Sequence, residues 1–292
     1  MHIEPGTLYL VATPIGNLED ITLRALRILK EVGLIACEDT RHTRVLLAHH
    51  GMRTPTISLH EHNERVRVPR LLDHLRQGTH VALVSDAGTP AVSDPGAALV
   101  AAAAREGVRI IPIPGASAVT AAVPLADFPA GRFVFAGFLP RQRGERRRLL
   151  EGLRDLPMAL VFFEAPHRVR DAMADVGEVL GARRVVLVRE LTKVHEQVLR
   201  GRAAEILETL DATPRGEVTL VVEGAPAGPS GPGAEREIGA QGAGRRPPEV
   251  LMRQLLAKGL TRRDAARVLE VVYGMPARDA YRITAGGTTA DE

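Results

Sequence analysis

Short apolar runs alternate with segments of helical period from the start of the chain. LYLVA (8–12) predicts a buried strand, and the stretch 18–32 then sets Leu23, Leu26, Ile28 and Leu29 at helical spacing. GLIACE (33–38), TISL (56–59), HVALVSD (80–86) and VRIIPIPG (108–115) predict four further strands. RHTRVLLAHH, ERVRVPRLLDHLRQG and the Ala-rich PGAALVAAAAREG predict the helices between them, the last capped by Asp94 with Pro95 in its first turn. Strands joined through helices of this length lie parallel, with right-handed crossovers, so the first part reads as an α/β domain.

The pattern then repeats less regularly. Strands are predicted at 132–139, 158–164, 183–190, 196–201 and 217–224, with helices near 145–155, 166–180 and 202–211. The expected organisation is an N-terminal α/β domain over 1–120 and a second over 121–225. A Gly- and Pro-rich segment, 226–248, reads as a flexible linker, and a helical module follows over 249–284. Thr261 and Asp264 form a T-x-x-D capping pattern inside that module, Pro276 marks a further helix start, and 284–292 reads as a frayed tail.

Composition narrows the class. Apolar residues are 45% and charged residues 25% of 292, the balance of a chain that buries a core. The longest apolar run, near 99–104, is too short to span a bilayer, and no basic stretch precedes the first apolar one; the chain is expected in the cytoplasm, with no membrane partner. The single cysteine, Cys37, excludes an internal disulfide and a cysteine metal cage, and its place within a strand makes it a core residue. The net charge is +3, carried almost wholly by Arg, with Lys30, Lys193 and Lys258 the only lysines.

In a parallel sheet, ligands bind beyond the carboxyl ends of the strands, so the loops there are where chemistry is sought. They read TPIGNLED, CEDTRHT, HEHNE, SDAGTPAVSDPG and PGASA. No G-x-G-x-x-G dinucleotide fingerprint is among them. Small residues dominate, which lets backbone groups approach a ligand closely. The same Asp, Gly and Pro in SDAGTPAVSDPG also suit a tight turn and a helix cap, so spacing alone leaves both readings open. HEHNE lacks the helical His pair of zinc peptidases, and no metal site is expected.

TPIGNLEDITLRA, CEDTRHT, SLHEHNE, VSDAGTPAVSDPG, PGASA, FFEAPHR and RELTKVHEQV, in this order over residues 6–224, resemble the ribosomal RNA small-subunit methyltransferase I family. That family lies within the tetrapyrrole methylase fold, class III of the S-adenosylmethionine enzymes. The resemblance implies two α/β domains with the cofactor in the cleft between them, and methyl transfer from S-adenosylmethionine to the ribose 2′-oxygen of cytidine 1402 in 16S ribosomal RNA. It further implies the assembled small ribosomal subunit as partner and a homodimer. By motif matching, the cofactor contacts are Pro14, the turn Asp86, Ala87, Gly88, then Val92, Ser117 and Ala118, with Phe163 and Leu191 on the second domain. The first loop departs from the G-x-G-x-G-D of the wider fold, which argues against a tetrapyrrole substrate. A corrinoid-type methyltransferase of the same fold and a non-catalytic ribosome-assembly factor are the competing readings.

A ribose hydroxyl is a weak nucleophile that profits from a base or an orienting cation. Lys193, Glu190 and Glu38 are the catalytic candidates. Lys193 is favoured because a desolvated Lys serves as a base where Arg does not; an ion pair of Lys193 with Glu190 or Glu196 is the alternative. Glu38, Asp39 and Arg41 either orient the ribose or pair among themselves. For RNA phosphates the candidates are Arg41, the run 141–148 with Arg141, Arg143, Arg146 and Arg147, and Arg262 and Arg263 in the basic tail. DNA is not an expected partner.

Overall fold

The computed structural model describes residues 4–214, 216–226, 248–257, 261–273, 275, 278–279 and 282–283. The apolar runs of the first part become five short strands: β1 (Leu8–Val11), β2 (Leu34–Cys37), β3 (Thr56–Ser58), β4 (Val81–Val84) and β5 (Ile110–Ile113). All pair in parallel, in the order β3-β2-β4-β1-β5. β4 explains why its run is apolar throughout. Val81 and Leu83 face Leu71, Leu75 and Leu99 on one side, and Ala82 and Val84 face Ala25, Ile28 and Leu29 on the other. A parallel strand covered on both faces has no polar side to present.

The covering helices are α1 (Leu23–Glu31), α2 (Thr40–His49), α3 (Glu64–Arg76) and α4 (Ala97–Arg105). α1, which follows β1, packs on the opposite face from α4, which follows β4. Adjacent strands β1 and β4 therefore send their chains to opposite faces, and a crevice opens between their carboxyl ends. This is the topological switch point at which open α/β sheets bind ligands.

Two local expectations are corrected. Leu23 sits on the solvent side of α1, 86% exposed, because Ala25, Ile28 and Leu29 supply the buried stripe. Asp94 does not cap α4. Gly96 holds the cap position, and its N–H donates to Glu64 Oε1 at 2.7 Å, so a carboxylate 32 residues away takes the role. Cys37 is fully buried in β2, as its apolar surroundings imply.

After α5 (Ala118–Ala122) comes a mixed sheet of order β6-β7-β10-β8-β9. Its strands are β6 (Phe133–Phe138), β7 (Ala159–Glu164), β8 (Arg184–Arg189), β9 (Gln197–Arg202) and β10 (Val218–Val222). β6 and β7 run parallel, and the remaining pairs are antiparallel. α6 (Arg143–Leu153), α7 (Val169–Leu180) and α8 (Ala203–Thr209) cover one face around Leu160, Phe162 and Leu220. α5 covers the other with Val119 and Ala122 against Val161, Val186 and Val221, which joins the second sheet to the loop leaving β5.

Residues 1–227 cluster as one compact unit and 228–292 as another. Both sheets belong to the first. In the second, α9 (Pro248–Ala257) and α10 (Arg262–Tyr273) pack through Met252, Ala265, Ala266 and Leu269. α10 begins directly after Thr261, and Arg262 and Arg263 are exposed in its first turn. Pro248, expected at the end of the linker, instead opens α9; residues 227–247 of that linker, Lys258, Pro276 and the tail 284–292 lie outside the described residues. Among the described residues, no helix is long and apolar enough to cross a membrane.

Candidate active site

Backbone bonds stitch the two sides of the β1–β4 crevice together. Thr13 N donates to Gly88 O at 2.9 Å and Gly88 N donates to Thr13 O at 3.0 Å. The buried Thr13 hydroxyl donates to Ser85 O at 3.1 Å. Gly88 has φ +77, a conformation that favours glycine, and a Cβ there would lie 3.4 Å from Ile15 Cγ2 and 3.7 Å from Ala116 O. Three loops, after β1, β4 and β5, thus converge on one glycine. That convergence groups Pro14, Asp86, Ala87, Gly88, Ser117 and Ala118.

The second sheet contributes a strap after β8. Gly16 approaches it so closely that a Cβ would stand 2.9 Å from Leu191 O and 2.5 Å from Lys193 Cγ. Phe163 and Leu191 are half-buried against the cluster that α5 seals. The described non-glycine residues with positive φ are Ala91, Ser93, Glu190 and Thr192, two on the β4 loop and two on the strap. Backbone strain of this kind persists where surrounding structure holds it, and it gathers at functional loops. Val92, between the first two, is 39% exposed.

The electrostatics revise the expected roles. Lys193 Nζ lies 2.9 Å from Glu190 Oε1 and 3.5 Å from Glu217 Oε2. Burial works to lower its pKa, but the hydrogen bond it donates to Glu190 and the charges of Glu217 and Glu190 outweigh burial and leave it raised. In this structure Lys193 is thus held as a cation by Glu190 and Glu217, the ion-pair arrangement. Glu190 is lowered by the same Lys193 hydrogen bond. Glu38 is half-buried at the end of β2, and its pKa is raised, first by burial and then by the charge of Asp86. Asp39 and Arg41 pair with each other at 2.7 Å, and the Arg41 hydrogen bond brings Asp39 down to about 2. That contact is exposed and shapes the loop.

Asp94, which the sequence pattern casts as the cap of α4, lies outside that role. Freed from that role, its carboxyl is raised to about 6 by burial, with a Ser85 hydrogen bond opposing and the charges of Glu38, Asp86 and Glu217 adding. The folded protein holds this proton more tightly than the unfolded chain does. Stability is therefore lost as the pH rises from the ordinary 3.8 toward about 6. Asp94→Asn is expected to gain on the order of 1 kcal/mol near neutral pH and to flatten that slope. Urea unfolding at stepped pH reads both, and an unchanged slope would assign the carboxyl an ordinary pKa.

The arginine run is corrected most. α6 starts at Arg143, and three of its arginines turn toward α7, while Arg148 is exposed. Arg146 is 4% exposed, with Nε 2.8 Å from Asp175 Oδ2. Arg143 Nε lies 3.1 Å from Asp175 Oδ1, and Arg147 pairs with Glu178 and Asp175. Arg146 is thus withdrawn from any phosphate, and Arg147 is largely committed. Arg141 remains exposed. Among the described residues no group of three or more His, Cys, Asp or Glu is arranged to hold a metal ion.

Residues 7–207 match the family model of Tetrapyrrole (Corrin/Porphyrin) Methylases. The chain is 44% identical over 282 residues to "Ribosomal RNA small subunit methyltransferase I" of Halalkalibacterium halodurans, covering 96% of this chain and 95% of that one. It is 47% identical over 240 residues to the protein of the same name from Pseudomonas aeruginosa, covering 81% and 84%. Among solved structures, diphthine synthase superposes with a TM-score of 0.60 at 19% identity, over 75% of this chain and 90% of that one. Uroporphyrin-III C-methyl transferase from Thermus thermophilus, complexed with S-adenyl homocysteine, gives 0.55 at 23%, over 74% and 97%. These two likenesses speak for the fold. The family model and the near full-length identity together mean that this chain belongs to the tetrapyrrole methylase family, in its ribosomal RNA small subunit methyltransferase I branch.

Proposed function

We propose that the chain methylates the ribose 2′-oxygen of cytidine 1402 in 16S ribosomal RNA, with S-adenosylmethionine as donor. It acts on the small subunit, as a cytoplasmic homodimer. One observation carries this reading: similarity to ribosomal RNA small subunit methyltransferase I extends over 96% of the chain, far beyond a cofactor lobe alone.

The residues at the crevice fit the donor. Gly88 and Ala87 bring little bulk to the crevice, and Glu38, Asp86, Asp94 and Glu217 make a negative surround suited to a cation. Pro14, Asp86–Gly88, Val92, Ser117, Ala118, Phe163 and Leu191 would hold it. When bound, S-adenosylmethionine supplies an electrophilic methyl carbon. The protein's task is to align the ribose oxygen with that carbon, and positioning of this kind is worth several orders of magnitude. Lys193, fixed by Glu190, serves to orient the hydroxyl by charge. Glu38 and Asp94, raised by burial, are the carboxylates suited to accept its proton. Exposed Arg41, Arg141, Arg143, Arg262 and Arg263 provide phosphate contacts.

Methyl-labelled S-adenosylmethionine is given to the protein with isolated small subunits, and the labelled nucleotide is mapped. Label on the 2′-oxygen of cytidine 1402, blocking alkaline cleavage beside it, is the expected result. Label on a base or another nucleotide, or none, would overturn it. In the same assay Lys193→Met should cut turnover about tenfold, the worth of one hydrogen bond to a charged group, with donor affinity retained. Unchanged turnover removes Lys193 from the chemistry.

A further inference from the structure

An aromatic ring stands open beside the crevice. β6 is the edge strand of the second sheet, and its pairing with β7 slips between Phe135, opposite Val161, and Phe138, opposite Phe163. Gly137 sits in this bulge at φ +70, and a Cβ on it would lie 3.1 Å from Ser93 Oγ. The bulge therefore brings the end of β6 against the strained loop after β4 and re-aims the next side chain. That side chain is Phe138, 52% exposed, while its neighbour Leu139 is 1% exposed and anchors the strand end. The chain has six Phe and no Trp, so a half-exposed ring is a costly use of one.

The ring is continuous with the site. Its centroid is 5.5 Å from that of Phe163 in an edge-on contact, and Phe163 is 4.9 Å from Phe135. Phe163 is among the proposed donor contacts, so three rings lead from the interior through the donor wall to an open face. Three residues on, Arg141 is exposed. An aromatic face flanked by a cation is the chemistry that takes unstacked nucleobases, and RNA is read mainly through such splayed bases. A base laid on Phe138 would stand beside Phe163, one of the proposed donor contacts.

We propose that Phe138 is the stacking platform for the nucleobase of the methylated nucleotide, and so a specificity-determining contact of the RNA substrate. This rests on the ribosomal RNA methyltransferase reading above. The test compares full-length Phe138→Ala, Phe138→Leu and Phe138→Trp with the wild type in methyl transfer to isolated small subunits. Alanine and leucine are expected to raise KM for the subunit roughly tenfold with kcat less affected, and tryptophan to stay within about twofold of wild type. Donor affinity by calorimetry and molar mass by light scattering should not change in any variant. Leucine keeps the bulk and apolar character, so leucine as good as Phe would make the ring mere packing and overturn the proposal. So would an unaffected alanine variant. A fall in donor affinity would assign the ring to the donor pocket, and a change in molar mass would assign it to a contact with a second copy; either overturns the platform. A wild type that labels no ribosomal RNA overturns the functional reading instead.

Discussion

Asp175→Ala is expected to cost the fold about 3–5 kcal/mol, the usual consequence of stranding a buried charge. Asp175 is 1% exposed on α7 and accepts from three arginines of α6, Arg146 at 2.8 Å, Arg143 at 3.1 Å and Arg147 at 3.4 Å. Burial pushes its pKa up, but the hydrogen bonds and charges of Arg146 and Arg143 win and hold it low. The substitution leaves Arg146 in the interior with only two long contacts, to Pro140 O at 3.4 Å and Arg141 O at 3.5 Å. Glu164, the other buried carboxylate near it, is already paired with Arg168 at 2.5 Å. Urea unfolding measures the loss. A carboxylate depressed in the folded state contributes fully above its unfolded pKa, so the gap between variant and wild type should hold from pH 5 to 8 and narrow as the pH falls below about 4. Arg146→Met placed in the Asp175→Ala background removes the stranded cation and should restore part of the loss. A deficit under about 1 kcal/mol, or no rescue, would mean that Arg146 finds solvent and that α6 and α7 are not cross-linked by charge.

This ion cluster marks a boundary of what a single sequence discloses. The ten strand segments were legible because central strands need apolar faces, and the runs at 81–84 and 218–222 carry that need openly. The crevice loops were legible for a similar reason: turns between closely packed elements require Gly, Pro and small residues. The direction in which the arginines at 143–147 point was not, since their partners Asp175 and Glu178 lie about thirty residues on and a solvated run reads the same. Asp94 failed likewise, because its role as a cap was lost to Glu64 from a different helix. For Lys193 the local partner Glu190 was visible in the sequence, but Glu217, which helps raise its pKa, comes from the residue just before β10. Phe138 gave no signal in the pattern, since an apolar residue at a strand end looks buried until a bulge turns it out.

Gly16→Val is expected to lower methyl transfer about a hundredfold, because it acts on the junction through which the first loop meets the strap. A Cβ at position 16 would meet Lys193 Cγ at 2.5 Å and Leu191 O at 2.9 Å. The lysine stem can swing aside. The Leu191 carbonyl cannot do so alone, since its neighbours are tied: Glu190 N donates to Glu217 O at 3.1 Å, Lys193 N to Glu190 O at 3.0 Å, and Thr192 N to Glu196 Oε2 at 2.7 Å. The strap must therefore shift as a unit, by on the order of 1 Å, carrying Leu191 and Lys193 away from the Asp86–Gly88 turn. A displacement of that size in a reacting geometry costs about two orders of magnitude in rate. Global stability should fall by on the order of 1–3 kcal/mol, because Gly16 has φ +159, which a side chain strains, while its exposure means that no core contact is lost. Single-turnover methyl transfer at saturating donor and small subunit isolates the chemical step, and urea unfolding provides the control. Gly16→Ala, with less bulk, should fall between wild type and valine. A valine variant that turns over within a few-fold of wild type would show that the first loop and the strap act independently, and the alignment attributed to Lys193 would have to come from elsewhere.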